Sequence, residues 1–200
     1  MSQSRRPWWK GPACMGGMLI LIGVILFAGF NVALEATNTQ EFCISCHTMR
    51  TNFEEYKKSP HFRNPSGVQA GCPDCHVPRQ YGHKLVAKVL AAKDVWHEMI
   101  GTIDTPEKFE AHRWDMASRV WAKMKANDSR ECRNCHDFKN MDVENQSKQA
   151  NRRHTRVMQK GGKTCIDCHA GIAHKQPEPP PGVVLPEDAP DEEPAAAGKG

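Results

Sequence analysis

Cys43-Ile44-Ser45-Cys46-His47, Cys72-Pro73-Asp74-Cys75-His76, Cys132-Arg133-Asn134-Cys135-His136 and Cys165-Ile166-Asp167-Cys168-His169 repeat one pattern four times in 200 residues. Cys-x-x-Cys-His is the attachment signature of c-type haem. The two thiols add to the porphyrin vinyl groups, and the adjacent histidine lies under the iron. Structural zinc also uses Cys-x-x-Cys pairs, but it makes no demand for His directly after each second cysteine. With 10 His in the chain, four such coincidences have a chance on the order of 10⁻⁵ to 10⁻⁶ once the cysteine pairs are given. The pattern therefore predicts four covalent haem c groups on Cys43, Cys46, Cys72, Cys75, Cys132, Cys135, Cys165 and Cys168, with His47, His76, His136 and His169 beneath the irons. The ninth cysteine, Cys14, stands outside the pattern and reads as a small apolar filler.

Four haems also account for the composition. Only 7% of residues are aromatic and the mean hydropathy is −0.63, too little for a large self-sufficient core. The macrocycles supply the missing apolar interior. Between Glu41 and His174 there are 22 Lys and Arg against 16 Asp and Glu. That excess balances haem propionates, and no basic cluster is dense enough to argue for nucleic acid.

The motifs fall into two pairs. First cysteines are 29 residues apart in one pair (43, 72) and 33 apart in the other (132, 165). An isolated histidine lies inside each pair, His61 and His154, and another follows each second motif, His83 and His174. The spacing reads as a weak internal repeat, two dihaem halves. Between the halves, Tyr81 to Ile100 has helical period, with Leu85, Val89, Trp96 and Ile100 near one stripe. Pro106 to Lys125 begins after Asp104-Thr105 with Pro in the first turn. Its stripe is Phe109, His112, Met116, Val120 and Met124, on which His112 reads either as a hydrogen-bonded core histidine or as a functional residue, one that packs against a haem propionate. No alternating strand pattern stands out, so the fold class is mainly α: one N-terminal membrane helix and a small helix-and-loop multihaem domain.

Outside that domain the chain changes character. Residues 1–10 are short and basic, with Trp8 and Trp9, and residues 11–34 carry no charge. About 20 apolar residues cross a bilayer as one helix, whereas a cleaved signal peptide needs a core of only about 7–15. The expected division is therefore a cytoplasmic segment at 1–10, an uncleaved transmembrane anchor at 11–36 and an exported haem domain at 37–174. The one-sided Arg5, Arg6 and Lys10 place the N-terminus inside. Ser4-Arg5-Arg6 hints at a twin-arginine signal, discounted because covalent haem is added after export. Residues 175–200 hold seven of the 14 prolines and six acids, a composition that predicts a disordered tail.

Longer strings surround the motifs: Glu41-Phe42 before the first and Thr48-Met49 after it, Val77-Pro78 after the second, Ile103-Asp104-Thr105-Pro106, Glu110-Ala111-His112-Arg113, and Gly171-Ile172-Ala173-His174 after the fourth. In these the chain resembles the NapC/NirT family of membrane-anchored tetrahaem quinol dehydrogenases over essentially everything before the tail. It is most similar to the branch that serves periplasmic nitrate reductase. The resemblance implies oxidation of membrane quinol (menaquinol or ubiquinol) at the outer face of a bacterial inner membrane. Electrons then pass to a periplasmic reductase such as nitrate reductase with its small dihaem cytochrome subunit. It implies Met49 in place of His47 as proximal ligand of the first haem, a choice that His47 leaves open. It implies His61, His154 and His174 as distal ligands of the other three, and Asp94 as the acid near the quinol. His83 and His97 fall outside that pattern.

A quinol site needs groups that accept two protons. Asp94, His97 and Glu98 stand at i, i+3 and i+4 on one helix face, with Lys88 and Lys93 nearby to tune them. Helping this site is the other functional reading of His112. The competing view is a solvated face laced with lysine. A passive membrane-tethered relay without its own quinol site is the alternative function. A haem-based sensor fits less well, since only about ten residues precede the span and none form an output module.

Overall fold

The computed structural model describes residues 11–183 and residue 185. The cytoplasmic segment expected at 1–10, and most of the expected tail, lie outside the described residues. Among those described there are helices, turns and loops but no strand, as the helix-and-loop reading expects.

Helix α1 runs Pro12–Ala36, 25 residues. At 1.5 Å per residue it is about 37 Å long, enough for a hydrocarbon core of about 30 Å. Gly11 precedes it and Pro12 starts it, where a missing amide hydrogen costs nothing. Its one amide side chain, Asn31, donates back to Phe27 O at 2.8 Å, which satisfies one of its two N–H groups within the helix. Nearly all of its large apolar side chains are exposed and only Leu34 is buried. A helix this apolar, with little protein against it among the described residues, is suited to lipid.

Most of the remaining helices are short and carry the motifs, and two longer ones lie between the halves. In chain order the remaining helices are α2 (Gln40–Cys43), α3 (Met49–Tyr56), α4 (Cys72–His76), α5 (Tyr81–Met99), α6 (Pro106–Ala126), α7 (Arg130–Arg133) and α8 (Lys148–Lys160), with 3-10 turns at Phe138–Asn140 and Cys165–Asp167. The two helices expected from periodicity are α5 and α6, each within a residue of its expected end. Thr105 caps α6 by accepting from Lys108 N at 3.3 Å, and Pro106 occupies its first turn. On α6 the buried positions are Phe109, Arg113 and Met124, and His112 is exposed, bonded to Lys108 O at 2.9 Å. Of the two readings of His112, the core one is therefore corrected. The inward face is rotated by one residue because Arg113 finds carboxylates inside.

Side-chain core is scarce. Among the described residues the buried apolar side chains are Leu34, Tyr56, Ile103, Phe109, Met124 and Ile166. Six such residues cannot offset the ordering of a domain this size, which is why the interior needs another apolar component. The first tail residue is also held: Lys175 N donates to Glu55 Oε2 at 2.8 Å, and Lys175 O accepts from Arg113.

Candidate haem centres

Each attachment motif sits on a short helix or turn with its own local device. In α4 the Asp74 carboxylate accepts from Gly71 N at 2.8 Å, and in the last turn Asp167 accepts from Thr164 N at 2.7 Å. The second motif of each pair thus places Asp between its cysteines to cap the amide before the first one. The first motifs lack that Asp. There Ser45 Oγ donates to Phe42 O at 2.7 Å, while Glu131, buried just before Cys132, accepts from Asn127 Nδ2 at 2.8 Å and from Arg130.

The pairs meet at their first cysteines. Cys43 lies beside Cys72, and Cys132 beside Cys165. The two-halves reading thus has a physical counterpart. Ser129, fully buried, adds a tie within the second half: its Oγ accepts from Ile166 N at 3.1 Å. Asp128 and Ser129 both adopt positive φ, 56° and 48°, a sharp turn that sets α7 against the end of α6. This turn was not legible in the sequence, since neither residue is Gly.

The histidines pair across these motifs. His61 lies 6.1 Å from His136, His76 lies 6.2 Å from His174, and His154 lies 6.0 Å from His169, ring centroid to centroid. An iron between two imidazoles, with about 2 Å to each nitrogen, separates ring centres by about 6 Å. The residues therefore fit haem, and they fit it by pairing every isolated histidine that the sequence singled out, except His83, with a motif histidine. His83 is exposed. Two of the three pairs join one half to the other: His61 from the first to His136, and His174 from the second to His76. Burial lowers the pKa of His61 and of His174 below the ordinary histidine value. Both rings are then neutral at pH 7, as a ligand must be.

His61 and His174 are placed by polar contacts of neighbouring backbone. The Tyr56 hydroxyl is shared between His61 O and Ala70 O, so it clamps the loop that carries His61 to the start of the second motif. Arg113 and Glu55 clamp the backbone immediately after His174.

The first motif stands apart. His47 has no partner imidazole among the described residues. Its Nδ1 lies 3.8 Å from Glu98 Oε1, and Thr48 Oγ1 donates to Glu98 Oε2 at 2.6 Å. Met49 Sδ faces Asn52 Nδ2 at 3.9 Å. Helix α5 brings Glu98 here and is itself tied to the end of α1. Lys84 Nζ pairs with Glu35 at 2.7 Å and Lys88 Nζ donates to Thr37 O at 2.5 Å.

The cluster expected on α5 is only partly assembled. His97 Nδ1 is 3.3 Å from Thr102 Oγ1, Lys88 is occupied by Thr37, and Asp94 and Lys93 are exposed without a hydrogen bond or ion pair among the described residues. Glu98, and not Asp94, is the carboxylate in contact with the first motif. Its signal in the sequence was its place one turn after Asp94.

Residues 10–179 match the family model for the N-terminal region of the NapC/NirT cytochrome c family. The chain belongs to that family. A relative in Allochromatium vinosum, described as a putative tetraheme cytochrome-c type protein, is 56% identical over 164 residues, covering 82% of this chain and 89% of that one. The cytochrome c-type protein NapC of Escherichia coli K12 is 50% identical over 177 residues, covering 86% and 88%. The denitrification system component NirT of Stutzerimonas stutzeri is 52% identical over 168 residues, covering 82% and 83%. No solved structure matches. As a NapC/NirT cytochrome with four attachment motifs, the chain is a membrane-anchored tetrahaem electron carrier.

Proposed function

We propose that this protein is a quinol dehydrogenase of the inner membrane: it oxidises menaquinol or ubiquinol at the outer face and passes the electrons to a periplasmic reductase, most closely nitrate reductase. The observation that carries this reading is the difference between the first motif and the other three. Three motif histidines each have a second imidazole, as fully ligated electron carriers require. The first has a carboxylate helix instead, and that helix is bonded to the outer end of the membrane span.

Bound haem supplies one-electron acceptance at its iron, and the chain supplies the rest. A quinol gives up two electrons and two protons, so two protons must find acceptors as two electrons leave. Asp94 and Glu98, one turn apart on α5, offer two carboxylates for this, with Lys93 and His97 on the same helix to adjust their basicity. Leu90, Val95 and Trp96 are exposed around Asp94, giving an apolar surface along which a quinone ring can approach from the bilayer. Lys88 contributes by bonding Thr37 and so fixing the height of α5 over the membrane. At the first haem Met49 is the proposed proximal ligand, with Asn52 orienting its sulfur. His61, His154 and His174 are the proposed distal ligands opposite His136, His169 and His76. Electron exit to the reductase is drawn from the names of the relatives, which speak of cytochrome c and denitrification.

The test is reduction of the purified protein by a quinol analogue, followed at the haem absorption bands with and without a quinone-site inhibitor. Inhibitor-sensitive reduction is expected. Reduction by dithionite alone would make the protein a passive relay.

A further inference from the structure

The loop before α8 carries a contact that the proposed electron path does not use. His154 Nδ1 lies 2.5 Å from Gln146 Oε1. We propose that Gln146 is a positioning residue for His154, and that its amide oxygen lowers the reduction potential of the haem held between His154 and His169. The proposal rests on the reading of those two histidines as axial ligands.

Gln146 is unusually well fixed for a loop residue. Its own N–H donates to Val143 O at 3.3 Å, closing a turn in which Asn145 Nδ2 donates to Asp142 Oδ2 at 2.6 Å. The next residue, Ser147, caps α8 by accepting from Ala150 N at 3.2 Å. Asn151 Nδ2 then reaches back to Val143 O at 2.8 Å. The turn and the helix that bears His154 are thus locked together, and Gln146 stands at their junction. Phe138 packs 6.2 Å from the His154 ring, with the Arg133 guanidinium 5.3 Å from the centre of the Phe138 ring. Between Gln146 and Phe138 the imidazole has little freedom to rotate.

The chemistry follows from the tautomer. When Nε2 binds iron, Nδ1 must carry the proton of the neutral ring. Nδ1–H therefore donates and the Gln146 carbonyl accepts. A strong acceptor there pushes electron density toward Nε2 and makes it a more basic ligand. The more charged ferric iron gains more from this than ferrous iron, so the oxidised state is favoured. The contrast is His61 and His174, whose Nδ1 atoms are buried with no hydrogen-bond partner among the described residues. Of the three bis-histidine pairs, the one with His154 thus differs from the other two in its outer contact, which separates its potential from theirs.

Two substitutions of Gln146 in the full-length, haem-loaded protein test this by spectroelectrochemical titration and EPR. Gln146→Leu removes the acceptor and should shift one midpoint potential of the four upward. Gln146→Glu provides a stronger acceptor and should shift that same haem downward, with its EPR signal moving in the opposite sense to the leucine variant. Shifts of the same sign in both, no shift in either, or shifts spread over several haems would overturn the proposal. His154→Met is the companion variant. If its spectrum keeps every low-spin signal of the parent, His154 is not a ligand, and the underlying reading fails together with the proposal. If a low-spin signal is lost while both Gln146 variants match the parent, only the role of Gln146 fails.

Discussion

Arg113, in the middle of α6, donates from Nη2 to Glu55 Oε2 on α3 at 2.5 Å, joining two helices 58 residues apart in sequence. The same nitrogen donates to Lys175 O at 2.6 Å, and Nη1 donates to Glu110 at 2.9 Å. The side chains are nearly closed to solvent, at 7% for Arg113 and 18% for Glu55. This knot fixes α3, α6 and the backbone after His174 in one place.

Breaking the knot should be costly. Arg113→Ala leaves the Glu55 carboxylate half-buried without its main partner, and loss of one member of a buried pair costs roughly 3 kcal/mol. Burial pushes the Glu55 carboxyl up, but the hydrogen bonds from Arg113 and the Lys175 amide outweigh it, and its pKa falls below 4.5. A depressed folded-state pKa contributes stability that is complete above the unfolded value and is lost as pH falls through the folded one. Thermal unfolding of the holoprotein should therefore show a gap between variant and parent that is widest at neutral pH and narrows below 4.5.

Single replacements of the three isolated histidines should separate the haems. His61→Met, His154→Met and His174→Met should each alter one low-spin haem spectrum and leave the others. Because His61 and His174 face motifs in the opposite half, the haem altered by each should be that of Cys132 or Cys72, not that of the nearest preceding motif. Magnetic circular dichroism on the three variants would show it, and unchanged spectra in all three would remove the ligand assignments.

Quinol oxidation should depend on the α5 carboxylates. Asp94→Asn should keep four haems attached and reducible by dithionite, yet slow reduction by quinol by about 10²–10⁴-fold, the usual worth of a positioned base. Glu98→Gln should slow it too and also disturb the first haem spectrally, since Glu98 contacts His47 and Thr48. Stopped-flow reduction compared across the two variants distinguishes them. A parental rate in Asp94→Asn would place the proton acceptor elsewhere.

Topology should follow the charges. Arg5, Arg6 and Lys10 flank α1 on one side only, which predicts a cytoplasmic N-terminus and a periplasmic haem domain. Protease added to intact spheroplasts should cut the haem domain, and protease added to everted vesicles should spare it.

The four motifs alone announced a tetrahaem cytochrome, because covalent attachment is written in local spacing that no tertiary context can hide. The span was equally plain, since 25 residues of α1 need no partner to be recognised. Capping chemistry at Thr105-Pro106 located the start of α6. Which imidazole faces which haem was not legible. Spacing grouped His61 with the first two motifs, but folding carries it to His136, since α3 and the loop clamped by Tyr56 turn it away from its own half. Nor could periodicity tell that Arg113 lies inside and His112 outside: that depended on Glu55 and Lys175, distant in sequence, arriving as acceptors for a buried guanidinium. Attachment and membrane crossing are properties of contiguous residues and were fixed by the sequence. Ligand pairing, the Glu98 contact at the first motif and the Gln146 contact at His154 join residues 8 to 98 positions apart, and only the packing of helices around shared centres decided them.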